Sequence, residues 1–329
     1  MDRFRQGNGD SQGIDQMMTG KELMEYATVR DHFRTLENYA DFARAYLDFA
    51  RLGLQARIVC QNETAYRFFQ YREDCSYNIS RPVNANLFLD VEEADEAFSA
   101  FSLSFEKIKD GAKPSKSERS LFVRSVYTMQ QSIGAALDAL PASRANQAKK
   151  MNGDLFEHLV RLLFREAGVD CKADSISVPV SDENGSELFR MNYQHDLVVR
   201  GRDGEISLLG SVKTSSKDRI DKIFVDKMLF NRLTGKETPY IAVFLNDVQR
   251  AKTAAPGRYQ VNSTFLTGHF KAYTIRLVPL DGVFYCDLRP AMKDDPFLNK
   301  RIRPLDCLFF DELPKRRLIQ LTNGRKTRQ

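Results

Sequence analysis

Residues 189–228 read FRMNYQHDLVVRGRDGEISLLGSVKTSSKDRIDKIFVDKM. Two apolar stretches, ending the segment FRMNYQHDLVVR and filling ISLLGSVKT, flank the loop Gly201–Glu205, whose Asp-Gly step suits a tight hairpin turn. Asp196 opens the LVV run of the first strand, and Lys213 stands near the end of the second. Closing the hairpin brings Asp196 back beside the region of Lys213, so a carboxylate and an ammonium share one end of an apolar platform. The stretch that follows, SSKDRIDKIFVDKMLFNRLTG, predicts a helix that Ser215 or Ser216 caps and Gly235 ends. Arg219, Lys222 and Asp226 fall on one face of it, while Ile220, Ile223, Phe224 and Met228 gather on another that can pack on a sheet.

Upstream, MNGDLFEHLVRLLFREAGV has helical periodicity, with Asn152 as N-cap and Gly168 as the stop, and SISVPV reads as a further strand. Downstream, YIAVFL and YTIRLVPL read as strands. The order helix, three strands, helix, two strands predicts an α/β core with a central mixed sheet flanked by helices. Before about residue 142 the pattern is mainly helical, as in LENYADFARAYLDFARLGL, with ARIVCQ and ANLFLDV as the few strand signals. The expected division is a helical N-terminal region, 1–142, and a core, 143–329, that ends in a basic tail of Lys315, Arg316, Arg317, Arg325, Lys326 and Arg328. Residues 1–20 read as a polar arm.

The polar end of the hairpin suits phosphodiester hydrolysis. A carboxylate holds Mg²⁺, which takes hard oxygen ligands. The metal neutralises charge on the phosphate and acidifies water, and a lysine orients that water or offsets charge in the transition state. One carboxylate holds a metal poorly, so a second and a third are sought: Asp226 on the following helix, and Glu157, set in the apolar helix DLFEHLVRLLF where an unpartnered acid is costly. Each also has a plainer reading, since Asp226 can pair with Lys222, and Glu157 with Arg161, at helical spacing. His158 and His195 flank these acids and read as structural, because no nucleophile elbow, zinc-helix motif or phosphate loop accompanies them.

The bulk figures agree without deciding. A net charge of +5 with a pI near 8.8 is mildly basic, compatible with nucleic acid and with much else. No run approaches the roughly 20 apolar residues of a membrane span, and the N-terminal stretch has no apolar signal core. The five scattered cysteines contain no C-x-x-C, which excludes a zinc ribbon and points to reduced thiols in a cytoplasmic setting.

Asp196, Ser211-x-Lys213, Lys217-Asp218-Arg219 and Asp226, with the leading segment SRANQAKKMNGDLFE, together resemble the PD-(D/E)XK restriction endonucleases. The similarity is to the EcoRII/NgoMIV-like branch, in which Ser replaces the acid two residues before the lysine and the following helix supplies the carboxylate. KTSSKDR resembles the pattern of the enzymes that cut CCNGG or CCWGG. The resemblance covers roughly residues 143–245, and departs where Asp226 stands for the usual Glu and His195 for the usual Pro.

The resemblance implies a restriction-endonuclease-like fold and a prokaryotic type II enzyme. It would make double-strand cuts at a short palindrome with CC and GG, leaving 5′-phosphate and 3′-hydroxyl ends. It implies Asp196, Asp226 and Glu157 as Mg²⁺ ligands and Lys213 as the catalytic lysine. It implies Lys217, Asp218 and Arg219 as major-groove readers, which suits the acceptors of guanine and the donor of cytosine, and Gln147 as a base contact from the minor groove. A homodimer or a higher oligomer facing palindromic DNA and a cognate methyltransferase are implied by the class. Base flipping is implied by the CCNGG group, with Arg57, Phe68, Phe69 and Tyr71 as pocket candidates by residue type. The target stays open among CCNGG, CCWGG, CCGG and longer sites such as TCCNGGA. A repair or modified-DNA nuclease on the same core, and a non-catalytic DNA-binding protein, are the competing classes.

Overall fold

The computed structural model describes residues 18–72, 79–217, 219–251 and 257–314. The arm before residue 18, Cys75, Asp218 and the basic tail from Lys315 lie outside them. The N-terminal region comprises α1 (Gly20–Ala27), α2 (Leu36–Leu52), a small antiparallel sheet of β1 (Ala56–Val59), β2 (Tyr66–Gln70) and β3 (Val83–Asn84), then α3 (Val91–Asp110) and α4 (Lys116–Leu137). There follow α5 (Ala145–Glu166), β4 (Cys171–Ser181), β5 (Glu187–Arg200), β6 (Ile206–Ser215), α6 (Ile220–Thr234) and β7 (Tyr240–Asn246). The chain continues through β8 (Val248–Arg250), β9 (Val261–Ser263), α7 (Thr267–Arg276), β10 (Gly282–Tyr285), α8 (Pro290–Asp294) and β11 (Ile302–Pro304).

The central sheet runs β11-β10-β7-β6-β5-β4, with β4, β5 and β6 antiparallel and β6, β7, β10 and β11 parallel. Every residue of β7 is buried, as a parallel strand covered on both faces requires. One face bears Leu197, Leu208, Val212 and Val243 and packs on α5, α4 and α2; the other bears Val198, Leu209, Tyr240 and Phe244 and packs on α6 and α7. The fold is mixed α/β with helices on both sides of a mixed sheet, as expected. Gly210 lets the layers close, because a Cβ there would meet the Ile241 carbonyl oxygen at 3.1 Å and the Leu197 side chain at 3.1 Å.

Four local expectations are corrected. Asn152 does not cap α5: the helix starts seven residues earlier, and Asn152 is buried within it, its carbonyl and side-chain oxygens accepting from Gln130 Nε2. Ser215 and Ser216 do not cap α6, whose N-cap is Arg219; Ser216 Oγ instead meets Thr264 Oγ1 at 3.0 Å. ANLFLDV is a turn leading into α3, and the strand signal belongs to Tyr66–Gln70 instead. The YTIR of YTIRLVPL ends α7, LVPL follows it, and the strand comes later at Gly282–Tyr285. Gly168 and Gly235 do follow α5 and end α6, both with positive φ. Among the described residues no helix is long and apolar enough to cross a membrane, and Cys60, Cys171, Cys286 and Cys307 are free thiols.

Candidate active site

Loop Gly201–Glu205 closes the β5–β6 hairpin as expected, with Gly204 at φ +80° and the Gly201 N–H donating to the Glu205 carbonyl. The ladder between the two strands covers only Leu197–Arg200 of β5, with Leu197 opposite Gly210. Beyond that point β6 continues beside β7 while β5 turns to β4 alone. At the fork, the Val212 N–H donates to Asp196 Oδ2 at 2.8 Å, so a side-chain carboxylate replaces the missing strand partner.

A register shift aims Asp196. Lys172 faces Val198 and Asp174 faces His195, so β5 spends one residue more than β4 across this step. His195 and Val198, three apart, consequently pack on the same side of the sheet, and Asp196 turns toward α5. An extra residue in one strand re-aims side chains in this way, often beside functional sites.

Lys213 Nζ donates to Asp196 Oδ2 at 2.6 Å and to Glu157 Oε1 at 2.8 Å, joining helix α5 to both strands. The three side chains are part-buried. Burial, then the neighbouring Asp196, raises the Glu157 pKa against the pull of Lys213 and Arg161. Burial alone would lower Lys213, but its two carboxylates together hold it above its ordinary value. Arg161, one turn after Glu157, is buried and donates to the Asp196 backbone carbonyl at 3.2 Å. The ion pair of Glu157 is thus with Lys213, and Arg161 serves the Asp196 backbone.

Asp226 is the acid that this cluster does not touch. It pairs with Lys222, one turn before it. Its charge acts on His195 and Tyr240, as does that of Asp196. Between these acids, Tyr240 Oη lies 3.0 Å from Ser211 Oγ and 3.3 Å from His195 Nδ1. His195 is buried and held below its usual pKa by burial; burial, followed by three arginines, pushes His158 down to about 4. Both fit the structural role expected of them.

Lys217 and Arg219 are exposed at the head of α6, and Asp218 lies outside the described residues. Gln147 is exposed on α5, accepting from Arg144 Nε, about 15 Å along the helix from Glu157 at 1.5 Å per residue. Of the pocket candidates, Arg57 and Phe69 line a cavity of about 310 Å³ with Arg51, Arg67 and Glu92. Phe68 is packed in the core and Tyr71 is bonded to Tyr46 and the Ala135 carbonyl. Sequence reasoning missed Arg161 in its present role and the Tyr240–Ser211 link; the one available signal was an arginine inside the apolar run HLVRLLF.

The donor set suits Mg²⁺. Asp196 and Glu157 offer hard carboxylate oxygens side by side around the Lys213 ammonium. Among the described residues no group of three or more His, Cys, Asp or Glu could hold a metal, but Mg²⁺ characteristically takes one or two carboxylates and completes its shell with water and phosphate.

The fold has a known counterpart. The chain is similar to the crystal structure of the Type IIP restriction endonuclease Kpn2I, with a TM-score of 0.64 at 15% identity over 91% of this chain and 98% of that one. This chain has the restriction-endonuclease fold. A complex of the restriction endonuclease PspGI with substrate DNA is also similar, at a TM-score of 0.38 and 13% identity over 70% of this chain and 91% of that one. No protein-family model and no curated protein matches the chain. Within the restriction-endonuclease fold, the Asp196–Lys213–Glu157 cluster stands where the hairpin strands part.

Proposed function

We propose that the protein is a Mg²⁺-dependent type II restriction endonuclease that cleaves both strands of DNA at a short palindrome containing CC and GG. The observation that carries this reading is the cluster of Asp196, Glu157 and Lys213 at the fork of β5 and β6. Asp196 and Glu157 would hold the metal, with Asp226 joining them if the Lys222 pair opens. Once bound, Mg²⁺ supplies positive charge to the scissile phosphate and acidifies nearby water. Lys213 would orient the attacking water, help to deprotonate it, or offset the charge that develops on the phosphate. Water adds to phosphorus, the bond to the 3′-oxygen breaks, and that oxygen leaves as the 3′-hydroxyl while phosphate stays on the 5′ end.

Lys217, Asp218 and Arg219 would read the G·C pairs from the major groove, with Gln147 approaching from the minor groove. A central CCNGG is favoured, with outer pairs such as those of TCCNGGA read by the N-terminal region, 1–142, which would also carry dimer contacts. A base flipped from the centre of such a site would enter the cavity beside Arg57 and Phe69. The active form would be a homodimer in the prokaryotic cytoplasm, beside a methyltransferase that protects the same site.

The test is incubation of purified protein with unmethylated phage DNA and Mg²⁺, next to Lys213→Ala and a metal-free control, followed by sequencing of the ends. Discrete fragments from wild type alone, ending at one palindrome, are expected. Intact, unbound DNA would overturn the reading.

A further inference from the structure

Beyond Asp196, strands β4 and β5 leave the rest of the sheet as a two-stranded ribbon: from Asp174–His195 outward they pair only with each other. One face of the ribbon is apolar. Ile176–Tyr193 and Val178–Met191 are cross-strand pairs packed against Ile220, Ile223 and Phe224 of α6. The other face carries Ser175–Gln194, Ser177–Asn192 and Pro179–Arg190, all exposed.

Three features of this second face point to a partner. It is continuous with the catalytic cluster, since Gln194 precedes Asp196 by two residues and so shares its side of the strand. Its neighbouring carboxylates are paired: Asp174 with Arg200 near the sheet, and Glu187 with Arg190 at 3.1 Å toward the tip. Between the cluster and Arg190 its side chains are the uncharged hydrogen bonders Ser175, Ser177, Asn192 and Gln194. Arg190 is fixed by three bonds, its Nε donating to Ser177 Oγ, its Nη2 to the Ser177 carbonyl and its Nη1 to Glu187 Oε2, each at 3.1 Å. Among the described residues, no hydrogen bond engages the side chains of Asn192 and Gln194.

We infer that this polar face is a DNA-contact track that follows the duplex outward from the scissile phosphate. The inference rests on the nuclease reading above and names a surface that the cleavage chemistry does not require. Ser, Asn and Gln make phosphate and sugar contacts and read base edges, and a two-stranded ribbon fits the major groove. The dimensions agree: side chains on one face repeat every ~6.7 Å, close to two base-pair steps of ~3.4 Å. From Asp196 to Arg190 the ribbon spans about 20 Å, or roughly six base pairs.

The experiment compares wild type with the double variant Asn192→Asp/Gln194→Glu, which keeps shape and adds charge to exposed positions. Binding is measured in Ca²⁺ to synthetic duplexes carrying the mapped cleavage site with flanks of about two or about ten base pairs. Wild type is expected to bind the long duplex at least ~10-fold more tightly than the short one. The variant should lose that advantage, bind the short duplex as wild type does and melt at the same temperature. If the acids lower the melting temperature, Asn192→Ala/Gln194→Ala is read in their place, with the same expected loss. A long-duplex advantage that survives the substitutions, or none in wild type, overturns the track while defined cutting of phage DNA leaves the nuclease reading standing. Phage DNA neither cut nor bound by wild type removes both.

Discussion

Arg161 holds a permanent charge where the sheet opens. It lies one turn after Glu157, and its guanidinium reaches the carbonyl of Asp196, the residue that the register shift leaves without an ordinary ladder position. It thus fixes the backbone that aims one acid and lowers the pKa of the other. Arg161→Met keeps the length but removes the donor and the charge. If the proposed nuclease chemistry holds, the expected outcome is a ~10- to 100-fold fall in single-turnover cleavage, the size typical of groups that orient metal ligands, with DNA affinity little changed and partial recovery in Arg161→Lys. Equal loss in the Met and Lys variants would show that packing alone is at stake. The acid and the lysine were legible because a polar residue at the end of an apolar strand is conspicuous in the sequence. Arg161 was not, because helical spacing offered Glu157 as a sufficient partner and the carbonyl it binds is set by a register shift that alternation does not announce.

At the scale of elements, the small sheet of the N-terminal region is tied to the end of β10 by a buried acid. Asp287 accepts from Tyr66 Oη at 2.8 Å on β2 and from Asn84 Nδ2 at 2.8 Å on β3. Burial pushes its pKa up to about 6 despite these bonds. Because the folded value exceeds the usual ~3.9 of an aspartate, the folded state favours the protonated form. This acid's contribution to stability is therefore complete at low pH and is lost as pH rises through about 6. The difference amounts to about 3 kcal/mol. Asp287→Asn should remove that step, so its melting temperature should fall less than that of wild type between pH 4 and pH 7, as calorimetry across that range would show; parallel curves would count against the assignment. Elements with clean periodicity, such as β7 and α5, were readable in outline. The misread strand at YTIRLVPL begins in α7, whose Ile275 is exposed. Exposed Ile275 stands beside Thr267, His269 and Arg276 and blurs the polar face by which a helix is recognised.

At the scale of the molecule, the boundary near residue 142 marks a change of sequence character, while the packing runs across it. Leu23 and Phe42 of the N-terminal helices, Leu159 of α5, Val243 of β7 and Leu308 and Phe309 near the end of the described chain share one apolar core. Phe309 sits 5.4 Å from Phe122 and 5.5 Å from Phe164, ring centre to ring centre. Phe309→Ala should cost ~3–5 kcal/mol, and calorimetry should show one transition moving to lower temperature as a whole. A separate early transition for the N-terminal helices would contradict a shared core.

The same arrangement sets a timetable for synthesis on the ribosome. Phe122 on α4 is made long before Phe309 and Phe310, whose rings close over it, and Arg119 waits as long for Asp306 and Asp311. Until residues 305–313 emerge, Phe122 has, of the described aromatic rings, only Phe101 and Phe105 of α3 against it, and α5, which carries Glu157, lacks part of its support. A chain halted before residue 305 should therefore be a substrate for proteases and chaperones instead of a partly active fragment. The shared core would close only once residues 305–313 have been made.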